Sequence, residues 1–170
     1  MVAARLAIMF VSGDLARIDT VRPMRATVSG LWVYTGPFGT GAHMKCMANL
    51  LLAVHAVTDG EALARWSGLD LEFVPGTLEG CSADSANWKQ RGPRMADRAW
   101  SPAPGPVRTL HPILEQIEGC AVKADPAAGV FASGQLAFAK ALAGGWGDLD
   151  IACVYDQVSG VSALSPGEAS

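Results

Sequence analysis

Residues 31–49 read Leu31-Trp32-Val33-Tyr34-Thr35-Gly36-Pro37-Phe38-Gly39-Thr40-Gly41-Ala42-His43-Met44-Lys45-Cys46-Met47-Ala48-Asn49, and their reading decides the fold. The apolar, β-branched run from Leu31 to Thr35 predicts a strand, and the glycines at 36, 39 and 41 punctuate a loop. Beyond them Met44, Met47, Leu50, Leu51, Val54 and Val57 recur at helical spacing, which predicts a helix from Ala42 to about Trp66 with Gly68 as its stop signal. Length and apolar character together predict that this helix does not lie on a surface.

On that helix Lys45 and Asn49 stand one turn apart on the same face, with only the small Ala48 beside them, so both can reach one small molecule. An ammonium beside apolar packing loses hydration, which favours the neutral form needed for proton transfer. The plainer alternative is a lysine that snorkels to water. Two phosphate-binding motifs are excluded by spacing. A P-loop needs lysine directly after its last glycine, whereas three residues separate Gly41 from Lys45, and Cys46 stands where Ser or Thr is required. A dinucleotide fingerprint needs a third small residue where Met44 stands.

Outward from this stretch, residues 5–12 predict a buried strand and Asp14 to Ala26 a helix. Further helices are expected from Ser82 to Trp88, with Ser82 or Asp84 as cap, from Pro112 to Cys120, and from Ala127 to Ala143. Asp148 or Asp150 is expected to cap a last helix through Val158, a role favoured for these carboxylates over acid catalysis. The run Ser101-Pro102-Ala103-Pro104-Gly105-Pro106 cannot keep a helical ladder and predicts a loop anchored by Trp100, the helical pattern having broken by residue 91. The tail from Val161 to Ser170 is expected to be disordered.

The motif resembles the β-hydroxyacid dehydrogenase family, the group of 3-hydroxyisobutyrate dehydrogenase and tartronate semialdehyde reductase. In that family a strand ends in Gly-x-x-Gly-x-Gly-x-x-x-Lys-x-x-Asn-Asn, which opens the long helix joining a cofactor domain to a helical domain. Gly36, Gly39, Gly41, Lys45 and Asn49 match it. Leu6 to Asp14 with Val21-Arg22-Pro23, Glu61-Ala62-Leu63, Gly68-Leu69-Asp70 and Gly145-Trp146-Gly147-Asp148-Leu149-Asp150 resemble further family segments. The likeness extends over most of residues 6–158. Ala48 replaces the first Asn of the pair. The later cofactor-side lysine has no clear counterpart in Arg108-Thr109-Leu110-His111-Pro112-Ile113, where His111 is a conjecture.

The resemblance implies a mainly α fold, a 6-phosphogluconate-dehydrogenase-like C-terminal helical domain (42–160) preceded by a short β-α-β remnant of a Rossmann domain (1–41), with 161–170 as the tail. It implies an NAD- or NADP-dependent oxidoreductase acting on the CH–OH group of a small hydroxyacid or the matching semialdehyde, and a homodimer or higher oligomer. Lys45 becomes the proton carrier, Asn49 and Gly41 line the substrate, and the family's Gly-x-Gly-x-x-Gly turn and Ser-Gly-Gly loop find no match. The chain is therefore expected to be the C-terminal half of such an enzyme, as a fragment, a truncated product or one half of a split enzyme. A rival reading is a non-catalytic helical dimerisation module.

Composition narrows the partners. A chain of 170 residues, 50% hydrophobic, is long enough to bury roughly 70% of its unfolded surface. A net charge of −3 with 13 basic residues gives no basic stripe, which argues against nucleic acid. Cys46, Cys81, Cys120 and Cys153 lie far apart without metal-ligand or disulfide-framework spacing, and Cys46 is expected to be a small buried hydrophobe. The apolar run at the start is too short for a secretory signal, and no run is long enough to span a membrane; a cytoplasmic protein is expected. His43 is expected to be exposed in the first turn of the long helix, His55 to pack, and His111 to cap.

Overall fold

The computed structural model describes residues 8–24, 30–66, 68–120 and 129–160. The expected extensions of the first strand to residue 5, of the first helix to Ala26 and of the helix from Ala127, and the expected disordered tail, lie outside them. The fold is mainly helical with a small parallel sheet, and it divides into two compact units, Met1–Ala48 and Asn49–Ser170.

In the first unit β1 (Ile8–Ser12) pairs in parallel with β2 (Leu31–Gly36), Phe10 opposite Val33, with an irregularity at Val11/Ser12. Between them runs α1 (Leu15–Thr20), followed by a 3₁₀ turn at Arg22–Met24. Asp14 caps α1 by accepting from the Ala16 N–H at 2.8 Å, as an Asp before an apolar run should. A parallel pair cannot be joined by a hairpin, so the connection has to cross over. The chain then enters α2 (Thr40–Arg65), 26 residues long, which continues into the second unit.

The second unit holds the core. The inward face of α2 carries Asn49, Ala53, Ala56, Val57, Gly60 and Leu63, all buried, at i, i+4, i+7, i+8, i+11 and i+14. Apolar residues also occupy the outward face, where Met47 is 56% and Leu51 48% exposed. The expectation that α2 does not lie on a surface is thus corrected for its outward face: composition cannot separate two faces that are both apolar.

Around this face lie α3 (Val74–Leu78), α4 (Ala86–Ala96), α5 (Val107–Cys120), α6 (Val130–Ala143), a 3₁₀ turn at Ile151–Cys153 and α7 (Val154–Ser159). Gly60 lets α2 approach α7: a Cβ there would stand 3.1 Å from the Tyr155 Cα. Gly134 of α6 also faces the Ala53 backbone, but at 4.0 Å from an added Cβ, an ordinary van der Waals distance. Phe138, Leu114, Ile151 and Val154 fill the interior.

Two helix starts differ from expectation. α4 is capped by Ser85, which accepts from the Trp88 N–H at 2.9 Å, rather than by Ser82 or Asp84. Asp84 is already engaged, accepting from the Gly80 N–H at 2.9 Å and pairing with Lys89 at 2.9 Å. α5 begins at Val107, ahead of Pro112, and α4 continues through Pro93 to Ala96, so the helical pattern does not break at 91. Pro93 would have bonded the Lys89 carbonyl, at a residue on the solvent side, where water replaces the lost partner.

The loop between α4 and α5 is tied down by polar contacts. The Trp100 carbonyl accepts from the Asp150 N–H at 3.0 Å, and its ring is buried, so Trp100 is the anchor expected. Asp150, fully buried, accepts from the Gly105 and Ala152 N–H groups, both at 3.0 Å, and pairs with buried Arg91 at 3.4 Å. That spacing is an ion pair rather than a hydrogen bond, which leaves the Arg91 Nε without a hydrogen-bond partner. Burial pulls the Arg91 guanidinium below its ordinary pKa, opposed by Asp150. Asp148, by contrast, is exposed and pairs with Arg108, so of the two expected caps Asp150 performs the role.

Candidate functional site

The site expected from sequence lies at the start of α2, and the glycine loop before it has steric reasons for its composition. Gly36 (φ 118°) and Gly39 (φ 96°) occupy the left-handed region, which side chains with a Cβ avoid. Gly41 is needed for a different reason: a Cβ there would stand 3.0 Å from the Phe10 carbonyl oxygen and 3.2 Å from the Ser12 Oγ. The helix thus opens directly against the end of β1.

Hydroxyls and backbone lock the turn within this unit. The Gly13 N–H donates to the Gly36 carbonyl at 2.9 Å. Thr35 Oγ1 donates to the Val11 carbonyl at 3.2 Å and lies 3.0 Å from Thr40 Oγ1, and Thr40 Oγ1 donates to the Pro37 carbonyl at 2.8 Å. The first turn of α2 is therefore fixed before the chain reaches Lys45.

Lys45 and Asn49 follow on α2, in very different surroundings. Lys45 is exposed, so the loss of hydration argued from its apolar neighbours is not found; those neighbours, Met44 and Met47, are themselves exposed. Asn49 is 4% exposed, and its Nδ2 is buried without a hydrogen-bond partner among the described residues. Most buried polar groups are bonded, and a stranded donor costs about 1–3 kcal/mol. The amide is what a ligand acceptor would satisfy.

The remaining sequence candidates resolve individually. His43 is exposed in the first turns of α2 and His55 is half-buried further along it. His111 lies inside α5, 4.0 Å from Glu115, rather than at a helix cap. Cys46 is half-buried and Cys81 exposed, while Cys153 is buried and its thiol is pushed up to about 12 by burial, with Asp150 and Asp156 adding to it. Among the described residues no group of three or more His, Cys, Asp or Glu is placed to hold a metal ion, and no helix is long and apolar enough to cross a membrane.

Sequence reasoning missed the buried polar network of the second unit. Asp59 accepts from the Asn87 Nδ2 at 2.7 Å, and Asn87 Oδ1 accepts from Arg91 at 3.2 Å. Burial raises the Asp59 carboxyl above its ordinary value, against the opposing effects of Asn87, His55 and Arg91. The available signal was Asp59 within the apolar run of α2 and Asn87 one turn before Arg91 in α4.

No protein-family model matches the chain. Over 153 residues it is 27% identical to glyoxylate/succinic semialdehyde reductase 1 of Arabidopsis thaliana, covering 89% of this chain and 53% of that protein. Its fold is similar to a 3-hydroxyisobutyrate dehydrogenase from Salmonella typhimurium, with TM-score 0.76 and 19% identity over 86% of this chain and 52% of the other. It is likewise similar to the 3-hydroxyisobutyrate dehydrogenase of Mycobacterium tuberculosis, at TM-score 0.75 and 20% identity over 92% of this chain and 56% of the other. The chain spans about half the length of the proteins it matches.

Proposed function

We propose that the chain is the C-terminal half of a β-hydroxyacid dehydrogenase, a reading supported by its likeness to the semialdehyde reductase and to the two dehydrogenase folds, and that it supplies the proton-transfer end of an NAD- or NADP-dependent oxidoreductase acting on the CH–OH group of a small hydroxyacid or its semialdehyde. The observation that carries this reading is the start of α2, where a sterically fixed glycine turn leads to an exposed Lys45 and, one turn on, to Asn49 with its buried, unpaired amide.

The division of labour follows from the residue types. The Lys45 amine holds the substrate hydroxyl oxygen, accepting its proton when the alcohol is oxidised and returning one when the carbonyl is reduced. Asn49 offers an N–H donor to a substrate oxygen or orients Lys45, and Gly41 keeps the helix start close to β1. The described residues do not fit the dinucleotide itself. The glycine turn carries Met44 where a dinucleotide turn needs a small residue, and the contact made possible by Gly41 is already filled by the Phe10 carbonyl. The dinucleotide is then gripped by residues other than those described, and Lys45 works on the proton alone.

A second reading, a non-catalytic helical dimerisation module, draws on the exposed Met44, Met47 and Leu51 of α2, since apolar faces of this kind recruit partners. The two separate in one experiment. The intact native polypeptide is incubated with NADH or NADPH and glyoxylate or succinic semialdehyde, and absorbance at the reduced-nicotinamide band is followed. Carbonyl-dependent loss of that band supports the enzyme. A stable dimer that neither binds nor oxidises either dinucleotide supports the module.

A further inference from the structure

No further inference is drawn: the strongest candidate, the half-open groove at the C-terminal end of α2 between Leu63, Trp66, Phe73 and Trp88, is an unpartnered apolar face, and nothing in the structure shows what covers it.

Discussion

Replacing Asn49 with leucine separates a functional asparagine from a structural one. Leucine keeps the γ-branch and the number of side-chain heavy atoms but carries no donor. In the wild-type chain the Asn49 Nδ2 is buried and unbonded, a state that costs about 1–3 kcal/mol. Removing it recovers most of that cost, offset by up to about 1 kcal/mol because methyl groups are bulkier than the amide. The net expectation is a gain of zero to about 2 kcal/mol. If the amide instead held the fold together, its removal would lose about 1–3 kcal/mol, so the two cases differ in sign. Urea unfolding followed by far-ultraviolet circular dichroism resolves them, since slopes of about 1–3 kcal/mol per molar turn the difference into a clear displacement of the midpoint. A midpoint lowered by the substitution would refute the reasoning that Asn49 is kept for a ligand. A midpoint held or raised, together with loss of turnover in the intact polypeptide, would support it.

Other consequences are equally direct. Asp150→Ala strands the buried Arg91 charge and removes the cap of the 3₁₀ turn at Ile151; about 4 kcal/mol of stability should be lost, and a loss below about 1 kcal/mol by urea unfolding would show the pair is not buried as described. Asp59 has a folded pKa raised above its ordinary 3.8, so the unfolded chain binds fewer protons just above that value. Its contribution is full below pH 3.8 and is lost as pH rises through the folded pKa; Asp59→Asn should flatten the stability profile over that window, and an unaltered slope would contradict it. Cys153, with its thiol pushed up to about 12, should resist a disulfide exchange reagent at pH 8 until the chain unfolds, while exposed Cys81 reacts at once; equal rates at both would be inconsistent with this packing.

Much of the fold was legible because periodicity and punctuation agreed. The strand from Leu31, the glycine loop and the long helix follow from local pattern alone, and Asp14 and Asp150 cap where their types predict. What escaped depends on which groups compete for one partner and on what packs against each element. Ser85 caps α4 because Asp84 is engaged with Gly80 and Lys89, a competition that is invisible without the turn between them. Pro93 and Pro112 sit inside helices because the bonds they forfeit are local, whereas the packing that holds the helices is not. The outward face of α2 was misjudged because its apolar residues surround the axis, and a period cannot mark a face when both faces match it. At the candidate site the types and spacing of Lys45 and Asn49 were readable. The exposure of Lys45 and the unpaired amide of Asn49 were not, since each depends on what the rest of the chain brings against α2.

The central claim rests on Lys45, and the most direct measurement is the turnover number of Lys45→Ala in the intact native polypeptide, with NADPH or NADH and a small semialdehyde. A positioned acid–base group contributes about 10²–10⁴-fold, so a loss of that order is expected, with KM little altered. Full activity with alanine at position 45 would contradict the account.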